Sequence, residues 1–263
     1  MRWIFESYWF GLLYPLVLLA SVAGGYWYAR RRYYKKQRSW KQSGTENAII
    51  GFYGLLLSFA LLISGNAHRD RVNIVNAHGD ALEAIYREGS QAHDDTVKLL
   101  TKDGVIALLE ARLLADPKTE AEDTRLHQRT SLLYTDLLHH VQMLHEKERI
   151  TTDERRYYND VILKAKGLDY RIQYSEMERT PLSVMILITL GSLLTGLLIG
   201  FANGFNEEHH FLIPLIFYTL TTLTVLTIRD LDNPTSGLIR PSNKKYENVM
   251  MEIKQESENS LRR

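Results

Sequence analysis

Four apolar stretches constrain the fold of this chain more than any other feature of its sequence. They occupy residues 10–28, 48–66, 181–205 and 211–228, and none of them contains Asp, Glu, Lys or Arg. Because a bilayer core is crossed by about 20 apolar helical residues, these stretches predict four transmembrane helices arranged as two pairs. Four charge-free runs of this length are not typical of buried helices in a soluble protein.

The first stretch also has features of a secretory signal peptide, because an apolar run ends in the small residues 21–23 (Ser-Val-Ala). Two features argue against cleavage. The positive charge of Arg2 is offset by Glu6, and the aromatic residues after the run continue into the arginines at 30–32. Aromatic and basic residues in this order are typical of a retained span at the membrane interface, which is what we expect here.

The segment between the two pairs, residues 67–180, is polar and helical in pattern. Apolar residues follow helical spacing directly after the second stretch, at Ile74, Ala77, Ala81 and Ile85, so the second span is predicted to continue out of the membrane. We therefore predict an all-α integral membrane protein with four transmembrane helices and a helical extramembrane domain inserted between spans 2 and 3. Its predicted parts are a first hairpin (1–66), a helical domain continuous with spans 2 and 3 (67–180), a second hairpin (181–228), and a turn with an amphipathic polar tail (229–263).

Composition excludes several classes of function. The 32 basic residues nearly balance the 31 acidic ones, so the chain as a whole carries no basic footprint for nucleic acid. Cysteine is absent from the sequence, which removes disulfides, thiolate catalysis and thiolate metal ligands. The sequence contains no phosphate-binding loop, nucleophile elbow or His-Glu-x-x-His motif, so we expect neither an enzyme nor a cofactor.

The histidines are the first residues to inspect for a metal site. His139 and His140 are adjacent, so they point to different faces of a helix, and His145 lies five residues further on. The pair His209-His210 follows two glutamates in a short loop. Such a run is more typical of a solvated loop than of a metal site, and we predict no metal ligands.

A glycine recurs once per turn in the third stretch, at Gly196, Gly200 and Gly204. Glycine lets a second helix approach closely in lipid, where packing drives helix association, so these residues are predicted to form a packing face. A hinge or an ion path along the same face is the alternative.

The distribution of basic residues leaves the membrane orientation open. Basic residues crowd the first loop between positions 30 and 41, which by the positive-inside rule favours a cytoplasmic first loop. The other short loop, 206–210, contains no Lys or Arg. Basic residues beside the large domain and in the tail favour a cytoplasmic domain instead: Arg69, Arg71, Arg171, Arg179, Arg229, Arg240, Lys244 and Lys245.

The segment after the fourth stretch, residues 229–240 (RDLDNPTSGLIR), carries a family resemblance. It resembles the Asp-Leu-Asp-x-Pro-x-x-Gly-Leu-Ile signature that directly follows the last span in bacterial bestrophin-like membrane proteins. The matching signature-loop residues are Arg229, Asp230, Asp232, Asn233, Pro234 and Gly237. The resemblance extends to residues 51–59 and 79–87, but His78 stands where many relatives carry Glu, so a role for that carboxylate does not carry over. Independently of the resemblance, Asp232-Asn233-Pro234 followed by Gly237 is a pattern typical of a turn.

Bestrophins proper are pentameric anion channels, and residues 51–53 resemble the aromatic stretch of their pore-lining second helix. The resemblance implies that Phe52 lines an apolar neck. The tentative pore-lining residues are Ala48, Phe52, Leu56, Phe59 and Ile63. An apolar constriction can pass weakly hydrated anions without charged walls. Contact with lipid or with another helix is the alternative role of this face.

The same resemblance implies a homo-oligomer, a pentamer, in the inner membrane, with cytoplasmic termini and a cytoplasmic helical domain. Its partners would be the lipid bilayer and small anions. Bestrophins that sense calcium carry an acidic run after the last span, whereas here only Asp230 and Asp232 precede Asn233, so calcium regulation is not expected. We predict an oligomeric anion-permeable channel. The alternative is a non-conducting membrane scaffold or sensor whose helical domain binds a protein partner.

Overall fold

A computed structural model describes residues 7–36, 44–115, 119–205, 211–234 and 237–261. Much of the basic first loop and the His209-His210 pair lie outside the described residues. Within the described ranges the chain forms helices and no strand. The helices are α1 (Tyr8–Lys36), α2 (Thr45–Ser90), α3 (Asp95–Leu113), α4 (Glu120–Glu146), α5 (Thr152–Met177), α6 (Leu182–Gly204), α7 (Leu212–Leu231) and α8 (Lys244–Leu261).

Four helical segments are long and apolar enough to cross a membrane. They are Trp9–Arg32, Thr45–Ser90, Thr152–Gly204 and Leu212–Leu231. Each contains one of the four apolar stretches of the sequence to within one residue at either end. The prediction of an all-helical protein with four helices able to span a membrane is thereby confirmed.

Helix α2 is far longer than a bilayer is thick. Its 46 residues run unbroken from Thr45 to Ser90. At a rise of 1.5 Å per residue the helix is about 69 Å long, whereas a hydrocarbon core is about 30 Å thick. Only its apolar first part, up to Asn66, can lie in the bilayer, and the charged part that follows extends beyond it.

The third span starts as a new helix. Helix α5 ends at Met177, Glu178 is extended (φ −73°, ψ 117°), and α6 begins at Leu182. Because a proline ring disfavours the helical conformation in the residue before it, Pro181 keeps Thr180 from joining the two helices. The structure therefore differs from the predicted continuity: α2 continues out of its span without a break, whereas α5 and α6 are separate.

The chain divides into two compact units. The membrane unit comprises Met1–Ala67 and Arg179–Asn233, and the helical unit comprises His68–Glu178 and Pro234–Arg263. The polar tail, which the sequence analysis treated as a separate part, belongs to the helical unit. Its helix α8 buries an apolar stripe in the core of that unit, formed by Tyr246, Val249, Met250 and Ile253.

Three helices of the helical unit begin at well-formed caps. The side chain of Asp94 accepts a hydrogen bond from the backbone N–H of Thr96 at the start of α3. Thr119 with Glu122 and Thr151 with Glu154 form capping boxes at the starts of α4 and α5. Each cap satisfies backbone N–H groups that a helix start leaves unpaired, and is worth about 1 kcal/mol.

The core of the helical unit draws on the second part of α2 and on α3, α4, α5 and α8. Its fully buried apolar side chains include Leu82, Val105, Leu108, Leu109, Tyr134, Ile162, Tyr246 and Ile253. The membrane unit has its own smaller core, formed by Phe10, Tyr14, Leu18, Tyr53, Leu57, Ala60, Met185, Ile188, Val225 and Ile228.

Glycines bring α1 and α6 into main-chain contact inside the membrane unit. A Cβ atom on Gly200 would overlap with the carbonyl group of Val22, and one on Gly25 would overlap with the carbonyl group of Leu197. The two helices therefore approach each other at two glycines, one on each helix. This is how small residues promote helix packing in lipid.

The other two glycines of the predicted packing face also lie against α1. A Cβ atom on Gly204 would lie 2.7 Å from the Cβ atom of Ala29, and one on Gly196 would lie 3.2 Å from the side chain of Leu18. The structure thus places Gly196, Gly200 and Gly204 on one face that packs against a neighbouring helix.

We expect Gly200→Ala to lower the melting temperature of the detergent-solubilised protein, because the added methyl group forces α1 and α6 apart. Overpacking of this kind costs about 1–3 kcal/mol. Gly24→Ala is the matched control, since a Cβ atom there meets nothing within 4 Å. Equal melting temperatures for the two variants would contradict the role of the glycine contact.

Candidate functional site

The predicted pore-lining face of α2 is largely uncovered in a single chain. Phe52 is 63% exposed, and Phe59 and Ile63 are each 54% exposed. Ala48 is exposed as well, whereas Leu56 is half-buried. Four of the five predicted residues therefore present an apolar surface that the described part of one chain leaves open.

A different face of α2 holds it in the membrane unit. Tyr53, Leu57 and Ala60 are buried there, and the Tyr53 ring lies 6.5 Å from the ring of Phe217 on α7. With about 100° between successive residues, this buried face is turned about 110° away from Phe52. In its most apolar window, α2 is 17% buried, the smallest share among the four candidate spans. The open face of α2 is available to lipid or to another copy of the chain.

The signature loop after α7 begins with two buried polar residues, Asp232 and Asn233. The Thr180 hydroxyl donates a hydrogen bond of 2.7 Å to Oδ1 of Asp232. The hydroxyl of Ser64 on α2 lies 3.3 Å from the same Thr180 oxygen. Because Thr180 directly precedes the start of α6, this chain of contacts links α2, α6 and α7 within the membrane unit.

Further contacts fix the backbone of the same segment. Arg229 Nη2 donates to the carbonyl oxygen of Ser7 over 3.0 Å, which ties the end of α7 to the start of α1. Asn233 Nδ2 donates to the carbonyl oxygen of Arg229 over 2.8 Å. In the helical unit, Arg240 Nε donates to the carbonyl oxygen of Gly237 over 2.9 Å. All of these are contacts of helix ends and turns.

The helical unit contains a buried polar cluster that the sequence analysis did not select. Its centre is Asp169, which is 2% exposed. The carboxylate of Asp169 accepts hydrogen bonds from Arg112 Nη2 and from the Thr130 hydroxyl, the latter at 2.9 Å. Burial raises the pKa of Asp169, but hydrogen bonding to His127 and the charge of Arg112 outweigh it and hold the pKa well below its usual range. The buried charge of this carboxylate is thus compensated.

His78 occupies the core of the same unit. Its Nδ1 atom lies 2.8 Å from the Tyr246 hydroxyl, and its Nε2 atom lies 2.7 Å from the Tyr134 hydroxyl. Burial and the charge of Arg112 lower the pKa of His78 to about 3. The imidazole is therefore neutral at physiological pH. It joins α2, α4 and α8.

Three further side chains converge beside this cluster. His127 is 4% exposed, and its Nε2 atom lies 3.1 Å from Oε2 of Glu176 and 3.6 Å from Oδ1 of Asp123. One nitrogen and two carboxylate oxygens of these residues lie within 4.8 Å of one another, close enough to hold a metal ion. Burial lowers the pKa of His127, but its contacts with Asp169 and Glu176 outweigh this and raise it to about 9. In the absence of a metal, the imidazole is the cation of the group.

A cleft of about 120 Å³ lies next to these three residues. It brings together charged and polar side chains from α3, α4, α5, α8 and the segment that leads into α8. They include Arg112, Asp123, Glu176, Arg240, Asn243 and Tyr246. Pro234 of the signature loop also lines the cleft.

The histidines that the sequence analysis singled out lie elsewhere. His139 and His140 are exposed on α4, and Nδ1 of His145 lies 3.1 Å from the carbonyl oxygen of Ile150. The sequence contains a local signal for two of the three converging residues. Asp123 and His127 are four residues apart and therefore share one face of α4. The third residue lies 49 residues further along the chain, beyond the reach of any local pattern.

Comparison with solved structures identifies the fold. A variant of a bacterial bestrophin homolog from Klebsiella pneumoniae matches with a TM-score of 0.72 at 10% identity, over 92% of this chain and 95% of that chain. A second variant of that homolog matches with a TM-score of 0.68 at 13% identity, over 91% and 97%. The structure of a membrane protein matches with a TM-score of 0.64 at 13% identity, over 92% and 94%. No protein-family model and no curated protein matches the chain.

The chain is thus a membrane protein with the bestrophin fold. The resemblance that residues 229–240 suggested is confirmed at the level of the fold, which extends over nearly the whole chain. At 10–13% identity these matches share an architecture with this chain.

We expect stability to depend on pH through His78. Its pKa of about 3 in the folded chain lies below the value of about 6.5 for an unfolded histidine. The unfolded chain therefore takes up the proton first as the pH falls. The contribution of His78 to stability is fully present above about pH 6.5 and decreases by up to about 1.4 kcal/mol per pH unit below it.

His78→Gln removes this titration and also weakens the contacts with two tyrosine hydroxyls, at a cost of about 1–3 kcal/mol at pH 7.5. The stability difference from the unmodified protein should shrink between pH 6 and pH 4, as measured by unfolding in detergent. The exposed His139→Gln is the control and should follow the unmodified protein throughout. A pH-independent difference for His78→Gln would contradict the assignment.

Asp232→Ala should destabilise the membrane unit by about 1–3 kcal/mol, because the buried Thr180 hydroxyl loses its acceptor. The melting temperature in detergent measures the effect. Asp136→Ala on the exposed surface of α4 is the control, and a similar small change in both variants would argue against a structural role of the signature loop.

Proposed function

We propose that the chain is a subunit of a homo-oligomeric, anion-permeable channel whose pore is lined by the first part of α2. The observation that carries the proposal is the apolar face of α2, which one chain leaves uncovered. The bestrophin fold supports it, because bestrophins proper are anion channels. By the same resemblance we propose a pentamer in the inner membrane, with the helical unit and both termini in the cytoplasm.

The position of α2 suits an assembly around a central axis. Tyr53, Leu57 and Ala60 attach one face of the helix to its own subunit. The face with Phe52 and Phe59 is then free to point towards an axis shared by several copies. Copies arranged in a ring would bring these side chains together as an apolar neck.

The chemistry of this face suits weakly hydrated anions. Residues 48–66 carry no charged side chain, so an ion must shed part of its hydration in the neck, which favours ions that hold water weakly. Aromatic rings carry positive potential at their edges, so the rings of Phe52 and Phe59 can stabilise an anion that passes edge-on. No catalytic group is needed for this function.

The absence of cysteine from the sequence permits a direct test. We would purify single-cysteine variants, reconstitute them in liposomes and measure halide flux before and after a charged, water-soluble thiol reagent. Phe52→Cys and Phe59→Cys probe the proposed pore face. Leu61→Cys is the matched control, because Leu61 is exposed on the same helix but points about 180° away from Phe52.

We expect halide flux from the unmodified protein and a reduction of at least about tenfold when the reagent reacts at position 52 or 59 but not at 61. Absence of flux for every halide and small cation would overturn the channel. Equal inhibition at position 61 would overturn the assignment of the pore to this face. A single-chain mass in detergent would overturn the oligomer.

A further inference from the structure

We propose that Asp123, His127 and Glu176 form a binding site for a divalent transition-metal cation of the Zn²⁺ class in the helical unit. The proposed channel makes no use of these residues, so the site is independent of that function. Two of the ligands come from one face of α4 and the third from the end of α5.

The spacing of the ligand atoms matches such a cation. Around a tetrahedral Zn²⁺ with bonds of about 2.1 Å, neighbouring ligand atoms lie about 3.4 Å apart. Nε2 of His127 lies 3.1 Å from Glu176 and 3.6 Å from Asp123, and all three ligand atoms lie within 4.8 Å of one another. Small side-chain movements would bring all three into the coordination shell.

Asp123 has a buried carboxylate beside a second one. The residue is 8% exposed, and its carboxylate lies 3.6 Å from Nε2 of His127 and within 4.8 Å of the carboxylate of Glu176. The same His127 nitrogen lies 3.1 Å from Glu176. Burial of two neighbouring carboxylates is costly unless a cation compensates it, so the pair favours a bound cation beside His127.

The charge of the group favours a dication. Two carboxylates with a neutral imidazole sum to −2, which one divalent cation neutralises. The pair of Arg112 and Asp169 beside the group has no net charge. A divalent cation would therefore leave the buried cluster electrically balanced.

The surroundings of His127 resemble the support that metal-bound histidines receive. Such a histidine donates its second N–H to a carboxylate, which orients the ring. Nδ1 of His127 lies 4.0 Å from Oδ2 of Asp169, and Asp169 is itself held by Arg112 and Thr130. Arg112 Nη2 also lies 3.3 Å from Nδ1. With a metal on Nε2, Nδ1 would carry the ring proton, and we expect a small movement of the ring to bring it within hydrogen-bond distance of Asp169 and away from Arg112, which stays paired with that carboxylate.

The cleft beside the site supplies access and the remaining coordination position. Both Asp123 and Glu176 line it, so a hydrated cation can reach them from solvent. Three protein ligands leave a fourth position for water. One imidazole nitrogen with two carboxylate oxygens favours Zn²⁺ and related metals over Ca²⁺, which takes six to eight oxygen ligands.

The test uses the full-length protein in detergent, purified without a histidine tag and stripped of metal with a chelator. Zn²⁺ is added, unbound metal is removed by gel filtration, and bound zinc is measured by elemental analysis alongside the melting temperature. The ligand variants are Asp123→Asn and His127→Gln. The matched controls are Asp136→Asn and His140→Gln, because these residues form an exposed pair with the same spacing on the same helix, 3.4 Å apart.

We expect the unmodified protein and both controls to bind Zn²⁺ and to melt at a higher temperature with it. Asp123→Asn and His127→Gln should bind at least about tenfold more weakly and lose the shift. Equal zinc binding by ligand variants and controls would overturn the proposal, as would no binding by the unmodified protein. In that case the three residues are a buried ion network only.

A second measurement does not depend on how the variants fold. Co²⁺ added to the metal-free unmodified protein should produce the visible absorption of a four-coordinate cobalt site, and Zn²⁺ should abolish it. Absence of this absorption would overturn the proposal even if zinc adheres elsewhere. Halide flux is measured separately, so failure of the channel and failure of the metal site are distinguishable.

Discussion

The bilayer offers no hydrogen-bond partner to a backbone, and this constraint underlies the architecture of the membrane unit. Each crossing must satisfy its own peptide groups, which makes every span a helix. Lipid tails are as apolar as the spans, so close packing has to hold the helices together. The contact of Gly25 and Gly200 with facing main chain is one solution, and the polar chain of Ser64, Thr180 and Asp232 at the helix ends is another. This packing leaves the face of α2 that carries Phe52 uncovered, together with other apolar faces of the spans such as those of Leu194 and Leu220.

The helical unit is held together differently. Its core combines a large apolar cluster with charged side chains that are buried and compensated. Asp169 carries its charge because Arg112 and Thr130 donate to it, and His78 is neutral because burial lowers its pKa. Removing one partner of a buried pair destabilises the fold by more than the intact pair stabilises it. The network therefore selects one arrangement of α2, α3, α4, α5 and α8.

The two proposals depend on different physical arguments. The channel depends on an uncovered apolar surface in a fold shared with bestrophin homologs, and it needs no reactive group. The metal site depends on ligand atoms at coordination spacing and on the buried carboxylate of Asp123. A regulatory connection between them would be a further question for flux measurements with and without Zn²⁺.

Local sequence patterns determined much of this protein. The charge-free stretches predicted the four spans to within a few residues at most ends. The spacing of Ile74, Ala77, Ala81 and Ile85 predicted the extension of α2, and the glycine repeat predicted a packing face. All of these depend on residues within a few helical turns of one another, where periodicity is visible in the sequence itself. The segment 229–240 resembled the bestrophin-like signature, and the fold was what that resemblance implied.

Only the tertiary structure decided the features that join distant segments. It placed α8 in the helical unit, His78 between Tyr134 and Tyr246, and Glu176 beside Asp123 and His127. It also separated α5 from α6 and showed that Tyr53, Leu57 and Ala60 form the buried face of α2 in its span. No local pattern contains this information, because burial and convergence of side chains depend on how whole helices pack, and the partners are separated by tens of residues along the chain.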